Sequence, residues 1–362
     1  KYIGAFKNLP PIVSYYWPSS DDLEQSSQAL ALQWLQVAQE KGGGGFAHSF
    51  HFAHGWLPAY PETTGYIVET LLKMNDLPEA QKMAKRALDW LISVQQDDGS
   101  FHDLARQPQV FDVGQILLGF NQSYEHAAQP EIKQAIEKSA DWLVSVQEDD
   151  GAFRRAAYLQ RPHTYYSRVG WALIWSGQIL EREDWLQAGR ENLDWVVSQQ
   201  QANGFFAHAS FDDAPAFLHN IVYVLEGLLE GHIRLGEESW LSATHKLADA
   251  LLSVRDSKGL LVSQYSDDLR PVRAGEYCMT GLAQWAGLCF DLWHEGGNED
   301  YMTAGKKALA YLKDQQIKRG HSYIKGALPG SVPISGAYLR FAFPNWGVKF
   351  FLDALQKEPK QA

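Results

Sequence analysis

The chain has 362 residues, of which 45% are hydrophobic, and its formal net charge is −11 from 32 basic and 43 acidic side chains. This acidic balance argues against a nucleic-acid partner, which needs clustered Lys and Arg. Two cysteines exclude a disulfide framework, and no run of eighteen apolar residues is present that would span a membrane. No signal peptide is visible, but the sequence does not begin with Met, so the compartment stays open. We expect a soluble protein, of either the cytoplasm or the periplasm.

One phrase of sequence returns six times. Trp90–Phe101 is closely echoed by Trp142–Phe153, and looser copies begin at Trp34, Trp195 and Leu251, with a last copy at Tyr311. Self-similarity at a nearly fixed period predicts a single supersecondary unit used repeatedly. No Pro/Gly/Ser-rich linker interrupts the period. We therefore expect one domain over residues 1–362, with residues 1–22 as an N-terminal extension packed on it.

The segments between the copies predict twelve helices in two rings. Amphipathic stretches with apolar residues at helical spacing predict the outer helices, over 24–41, 78–96, 130–147, 183–199, 238–254 and 299–316. Stretches with little polar face predict buried inner helices, over 61–74, 110–123, 164–181, 215–235, 274–295 and 335–355. The fold class that follows is all-α, an (α/α)6 toroid of six helical hairpins. The longer loops then lie together over the N-termini of the inner helices, where function is expected.

The repeated phrase resembles the Gln-Trp-type repeat of terpenoid-cyclase and protein-prenyltransferase toroids. Toroids of six hairpins also include glycosidases, polysaccharide lyases and sugar epimerases, so the resemblance implies architecture more than activity. The Asp-x-Asp-Asp and Asp-Asp-x-x-Asp motifs of isoprenoid chemistry are missing from the sequence, which disfavours that activity.

A second resemblance is local. Gly55–Ile67, together with Pro344–Lys349, resembles toroid proteins encoded among bacterial polysaccharide genes. This resemblance implies a role in polysaccharide processing. It also implies pocket positions, which are Tyr60, Glu62, Tyr66, Asn345 and Trp346.

Three carboxylates, Glu62, Asp112 and Glu276, lie where inner helices are predicted to begin. Acids at these positions cap a helix or stabilise its dipole. Alternatively, they supply the general acid and the general base that glycoside hydrolysis requires. The sequence leaves both interpretations open.

The third predicted inner helix begins with a His-Tyr-Arg group. Arg168 suits recognition of a sugar carboxylate, because a guanidinium binds a carboxylate through two parallel hydrogen bonds. His163, Tyr165 or Tyr166 would then move the proton in β-elimination or C5-epimerisation of a uronate, with Arg168 or Asn220 neutralising the carboxylate. The alternative is aromatic packing, with Arg168 paired to a nearby acid.

Further residues near the predicted inner-helix starts are candidates for substrate binding. They are His48, His51, Trp56, Tyr60, His219, Asn220, Tyr277, Tyr338, Asn345 and Trp346. The three-residue spacing of His48, His51 and His54 would suit zinc, but the preceding glycine run favours a loop lining. We expect neither a metal nor another cofactor.

These observations predict an enzyme that processes an acidic or complex polysaccharide, with hydrolysis by a Glu/Asp pair preferred. A polysaccharide lyase or uronate C5-epimerase is the first alternative. A non-catalytic glycan-binding toroid is the second, and an isoprenoid cyclase or prenyltransferase is a disfavoured third. The expected partner is an oligo- or polysaccharide.

Overall fold

The computed structural model describes residues 8–16 and 25–360. Their contacts divide the chain into two compact units. Unit 1 comprises Lys1–Tyr60, Arg255–Ser263 and Arg273–Ala362, and unit 2 comprises Pro61–Val254 and Gln264–Val272. Of the predicted N-terminal extension, residues 1–7 and 17–22 lie outside the described residues. The expectation of a single domain stays a prediction.

The described residues form thirteen α-helices. They are α1 (Leu9–Tyr16), α2 (Ser27–Gly42), α3 (Pro61–Leu72), α4 (Pro78–Val94), α5 (Val110–His126), α6 (Pro130–Val146), α7 (Ser167–Leu180), α8 (Glu183–Ser198), α9 (Leu218–Leu235), α10 (Glu238–Ser253), α11 (Met279–Gly296), α12 (Glu299–Gln315) and α13 (Asn345–Lys357). From α2 onward, amphipathic helices alternate with more deeply buried ones, as the sequence predicts. No helix within 8–16 and 25–360 has the length and apolar character needed to cross a membrane.

Seven short strands lie in the loops. They are β1 (Ser49–His51), β2 (Gly55–Trp56), β3 (Ala216–Phe217), β4 (Gln264–Tyr265), β5 (Tyr277–Cys278), β6 (Ser331–Val332) and β7 (Ala342–Pro344). All pairings are antiparallel: β1 lies between β2 and β7, β3 pairs with β4, and β5 pairs with β6.

Three strands and one 3-10 turn correct four predicted helix starts. The inner helices expected from 164, 215, 274 and 335 begin at 167, 218, 279 and 345. A 3-10 turn at Thr164–Tyr166 precedes α7, and strands β3, β5 and β7 run directly into α9, α11 and α13. In each of the last three cases, backbone groups that a longer helix would use bond to another loop instead. The predicted starts at 61 and 110 are confirmed.

The repeated glutamine explains why the phrase recurs. Nε2 of Gln95 donates to the carbonyl oxygen of Ala135 in the next outer helix at 3.0 Å. Gln147 donates in the same way to Ala188 at 2.9 Å, and Gln200 to Ala243 at 2.8 Å. In these three copies the glutamine joins the end of one hairpin to the outer helix of the following one. The three glutamines are half-buried, and an amide with a carbonyl partner avoids the cost of desolvation without a hydrogen bond.

Helices α3, α5, α7 and α9 of unit 2 pack against one another in succession. The approach is close, because a Cβ atom at Gly65 of α3 would lie 2.3 Å from Cα of Ile116 in α5. The loops that precede these helices also touch: the Val110 N–H donates to the Ala156 carbonyl and the Thr164 N–H to the His208 carbonyl. Within unit 2, the N-termini of the four buried helices thus lie at one end, below neighbouring loops.

Candidate active site

Two of the buried helices of unit 2 carry a polar stripe, which corrects the expectation that the inner helices have little polar face. Glu62, Tyr66 and Glu69 follow one another at steps of four and three along α3. On α9, His219 begins a stripe that continues through Tyr223, Glu226 and Glu230. Steps of three and four place side chains on one face of a helix. The two stripes face a common region, because Tyr66 and Glu69 of α3 and Tyr223 and Glu226 of α9 all contribute to the raised pKa of Arg168.

Two carboxylates meet the aromatic residues at the N-terminal end of this region. Glu62 and Asp112 lie in the first turns of α3 and α5. The negative charge of Glu62 raises the pKa of Tyr165, Tyr166 and Tyr223, and the negative charge of Asp112 raises the pKa of Tyr166. Asp112 is buried, whereas Glu62 is half-buried. The structure therefore brings together four of the predicted catalytic residues, which are Glu62, Asp112, Tyr165 and Tyr166.

Phe111 lies at the centre of the aromatic group. Its ring centroid is 5.3 Å from that of Tyr165, 5.8 Å from that of Tyr166 and 5.2 Å from that of Tyr223. Edge-to-face and offset arrangements at these separations stabilise aromatic pairs. The three tyrosines are almost fully buried. The cluster therefore holds its rings rigidly beside the two carboxylates.

The tyrosines keep their protons. Burial raises the pKa of Tyr165, Tyr166 and Tyr223 above the usual range, and the charge of Glu62 adds to the increase in each. Tyr165 also shares a side-chain hydrogen bond with Tyr166, whose hydroxyl accepts a hydrogen bond from the Tyr158 N–H at 2.9 Å. A phenol with a raised pKa is a hydrogen-bond donor, and it is a poor base at neutral pH.

Arg168 lies below the cluster and is nearly inaccessible to solvent. Its Nη1 donates to Glu226 at 2.6 Å and its Nε to Gln115 at 2.6 Å, while its guanidinium lies 4.9 Å from the ring centroid of Tyr223. Burial alone would lower the pKa of Arg168. The negative charges of Glu226 and Glu69 outweigh that effect, so the pKa of Arg168 is raised. The arrangement is the ion pair that the sequence left open as an alternative to recognition of a sugar carboxylate, and that recognition stays a prediction.

His163 is held between two loops. One ring nitrogen lies 3.1 Å from the carbonyl oxygen of Ser210 and the other 2.9 Å from that of Tyr158. Burial lowers the pKa of His163, and the two carbonyls oppose that effect only in part. Its ring also stacks on Tyr165 at 4.8 Å. These contacts hold the His163 ring between the two loops and against Tyr165, and proton transfer by His163 stays a prediction.

Two further candidates lie on α9. His219 is buried with its ring centroid 4.3 Å from that of Tyr223, which places it beside the aromatic group. Asn220 is fully buried, and neither polar atom of its side chain has a hydrogen-bond partner among the described residues. A buried amide without partners is costly, so this position merits a functional test.

A second aromatic cluster belongs to unit 1. The ring of His48 lies 4.6 Å from that of Trp346 and 5.6 Å from that of Tyr60. Nε1 of Trp346 donates to the Tyr338 hydroxyl at 2.7 Å, and Nδ2 of Asn345 donates to the Ala47 carbonyl at 2.9 Å. Burial lowers the pKa of His48 to about 4, so the imidazole is neutral at neutral pH. Five of the predicted substrate-binding residues therefore lie together.

The other candidates of unit 1 have structural contacts of their own. His51 accepts a hydrogen bond from the Ala53 N–H at 2.9 Å, and Trp56 packs between Trp34 and Phe50 at 5.5 and 5.4 Å. These contacts fix the loop that contains β1 and β2. Substrate binding by His51 and Trp56 stays a prediction.

Glu276 and Tyr277 lie just before α11, in the loop and in β5. Glu276 accepts a 2.7 Å hydrogen bond from the Ala337 N–H, which fixes the loop between β6 and β7. The Tyr277 hydroxyl donates to Asp256 at 2.6 Å. Both side chains thus hold loops in place. Their predicted roles in catalysis and in substrate binding stay predictions.

Sequence reasoning missed Tyr223, Glu226 and Gln115 as members of the site. The first two were within reach, because they continue from His219 at steps of four and three on a helix otherwise rich in Leu and Val. Gln115 gave no signal, since an isolated glutamine follows no pattern. Across the described residues, no group of three His, Cys, Asp or Glu side chains is suited to a metal ion.

Two sequence comparisons point to cyclase toroids. Residues 54–224 match the family model of the squalene-hopene cyclase C-terminal domain. A squalene–hopene cyclase of Zymomonas mobilis is 26% identical over 208 residues, which are 51% of this chain and 30% of that protein. The match therefore spans less than a third of the curated relative.

Solved structures share the fold over nearly the whole chain. An unsaturated glucuronyl hydrolase specific for heparin superposes with a TM-score of 0.75 at 15% identity, covering 92% of this chain and 95% of the other. Cellobiose 2-epimerase from Bacillus thermoamylovorans superposes with a TM-score of 0.71 at 10% identity, covering 91% and 96%. These similarities confirm the predicted α/α toroid class. They also confirm the likeness to both the terpenoid-cyclase and the six-hairpin glycosidase toroids.

Proposed function

We propose that this protein is a carbohydrate-processing enzyme that hydrolyses a glycosidic bond in an acidic or complex saccharide, with Glu62 and Asp112 as general acid and general base. The observation that carries the proposal is that Glu62 and Asp112 lie in the first turns of α3 and α5, two helices that pack closely at Gly65 and Ile116. Glycoside hydrolysis requires such a pair of carboxyl groups on the two sides of the scissile bond.

The aromatic residues suit a sugar. Phe111, which is half-buried, offers a ring face for the C–H face of a sugar, and the tyrosines packed around it hold that ring rigidly. The structures with the same fold include a hydrolase named for heparin and an epimerase named for cellobiose, which supports a saccharide substrate. Hydrolysis is preferred to elimination because the three tyrosines have raised pKa values, and a phenol is then a weak base for a proton next to a uronate carboxyl.

Product analysis on a panel of acidic oligosaccharides tests this proposal. Hydrolysis of a saturated oligosaccharide releases one new reducing end per bond and no ultraviolet-absorbing product, whereas elimination creates an unsaturated sugar that absorbs in the ultraviolet. Epimerisation creates neither, and it is detected as incorporation of solvent deuterium into recovered substrate. Binding without turnover would instead favour the non-catalytic alternative.

The variants Glu62→Gln and Asp112→Asn give the matched test of the carboxylate pair. Loss of a general acid or base lowers turnover by about 10²–10⁴-fold. Asp149→Asn serves as the control, because Asp149 is an exposed carboxylate in a turn of the same unit. Retention of full activity by either Glu62→Gln or Asp112→Asn overturns the proposed mechanism.

A further inference from the structure

A cavity of about 820 Å³ lies in unit 2, and neither Glu62 nor Asp112 lines it. It is bounded by two loops, and its lining residues are Gln107, Pro108 and Gln109 from one loop and Arg154–Ala157, Leu159 and Gln160 from the other. Its volume falls in the range of sites that hold small molecules, which is roughly 300–1,000 Å³. None of the residues discussed above as a candidate site residue lines it.

From this cavity we infer a second saccharide-binding site, which holds an outer residue of an acidic oligosaccharide through Arg155. The inference rests on the proposed function and deepens it by naming an anionic chain as the substrate class. Three glutamine amides lining the cavity supply hydrogen-bond donors and acceptors for sugar hydroxyls. Leu159, whose exposed fraction is 53%, offers an apolar surface for the C–H face of a sugar ring.

The two arginines of the cavity differ in their partners. Arg154 donates to Glu148 at 2.5 Å and to Asp150 at 2.8 Å, so its charge is already balanced by two carboxylates. Arg155 donates only to the carbonyl oxygens of Ser145 and Gln147, at 3.4 and 3.2 Å. Over residues 8–16 and 25–360, no carboxylate pairs with Arg155. Its positive charge is thus the one available in the cavity for a uronate carboxylate or a sulfate group.

The cavity is preformed. Asp103 accepts hydrogen bonds from the Ala105 and Gln107 N–H groups, at 2.8 and 2.9 Å, and so fixes the first loop. In the second loop, Ala156, Leu159 and Gln160 adopt positive φ angles of 51°, 54° and 52°. Non-glycine residues in this region are strained by about 1–3 kcal/mol each, and such strain is concentrated at functional sites.

The second loop is joined to the candidate active site. The Tyr158 N–H donates to the Tyr166 hydroxyl, and the Ala156 carbonyl accepts from the Val110 N–H at 2.8 Å. Tyr166 and Phe111, which follows Val110, belong to the aromatic group beside Glu62 and Asp112. These contacts fix the loop that carries Arg155 relative to the aromatic group beside the carboxylates.

Calorimetry on the full chain tests the inference with a hexasaccharide of 1,4-linked uronates and its carboxyl-reduced neutral counterpart. We expect the wild-type protein to bind the acidic probe more tightly than the neutral one. We expect Arg155→Gln to weaken binding of the acidic probe by about tenfold or more, with the neutral probe unaffected, since a charged hydrogen-bonded contact is lost. Lys133→Gln, at an exposed position on α6, is the matched control and keeps wild-type affinity.

Gln160→Glu provides a second variant, because Gln160 is exposed and its substitution adds a negative charge to the cavity without removing an arginine. It is expected to weaken binding of the acidic probe alone. Equal wild-type affinity for the two probes, absence of binding, or an acidic-probe affinity that Arg155→Gln leaves unchanged overturns the inference. These binding measurements are repeated with Glu62→Gln. The conclusion about Arg155 then does not depend on whether the protein hydrolyses the probe.

Discussion

Glu226 accepts a 2.6 Å hydrogen bond from Arg168, which joins α9 to α7 directly below the candidate active site. The exposed fractions of the two side chains are 15% and 2%, so the pair is shielded from water. Removing one partner of a shielded pair leaves the other charge buried without that compensation, which costs more than the intact pair contributes.

We therefore expect Glu226→Leu to lower the free energy of unfolding by about 3 kcal/mol. The double variant Arg168→Met/Glu226→Leu is expected to be more stable than the single one, because it leaves no buried charge at this position. Urea unfolding followed by circular dichroism gives both values. A single variant within about 0.5 kcal/mol of wild type would show that Glu69 and the tyrosines hold Arg168 without Glu226.

The turn glycine of the repeated phrase is the subject of a second prediction. Gly99 has a φ of +91°, and a Cβ atom there would lie 2.1 Å from the carbonyl oxygen of Lys138 in the next outer helix. Gly99→Ala is expected to cost about 3 kcal/mol or more, from backbone strain and steric overlap together. Gly236→Ala separates the two terms, since Gly236 has a φ of +71° with nothing within 4 Å, and it should cost about 1 kcal/mol. Equal losses in thermal unfolding would contradict this account.

The repeat shows why the architecture could be predicted. Gln95 and Gly99 recur as Gln147 and Gly151, because both copies attach a hairpin to the next outer helix in the same way. A contact that is repeated in space requires the same residues at a fixed period in the sequence. That period therefore predicts the repeated architecture. The helix ends of the outer ring followed directly from this pattern.

The strands and the lower part of the site could not be predicted in the same way. Tyr277–Cys278 pairs with Ser331–Val332 through only two residues a side, and the partners lie more than fifty positions apart in sequence. So short a pairing has no alternation to detect. The sequence around Gln115 likewise contains no pattern that indicates a site residue, because its importance comes only from the 2.6 Å hydrogen bond that it accepts from Arg168.

Tyr165→Phe distinguishes hydrolysis from tyrosine-dependent elimination. If Tyr165 acts as a hydrogen-bond donor with a raised pKa, loss of its hydroxyl should lower kcat/KM on acidic oligosaccharides by less than about tenfold. If it acts as the base, the loss should reach about 10²–10⁴-fold. Glu62→Gln, measured on the same substrates, is the reference for loss of a proton-transferring group. A larger loss in Tyr165→Phe than in Glu62→Gln would favour the lyase or epimerase alternative.

The last prediction concerns His48 and acid stability. Burial lowers the pKa of His48 to about 4, below the ordinary value of 6.5. Between these two values the unfolded chain takes up a proton at His48 and the folded chain does not, so the free energy of unfolding falls as the pH falls. The contribution is absent above about pH 7, and near pH 4 it reaches on the order of 3 kcal/mol.

His48→Gln should flatten the dependence of stability on pH between about 6.5 and 4, since glutamine does not titrate. Denaturant unfolding at pH 7, 5.5 and 4 measures the slope, and His126→Gln, at an exposed position at the end of α5, should keep that of the wild type. His51, His163 and His321 also have pKa values lowered chiefly by burial, so the slope decreases without vanishing. Identical slopes in wild type and His48→Gln would mean that the imidazole of His48 is reached by water beside Trp346 and takes up its proton near the ordinary pH.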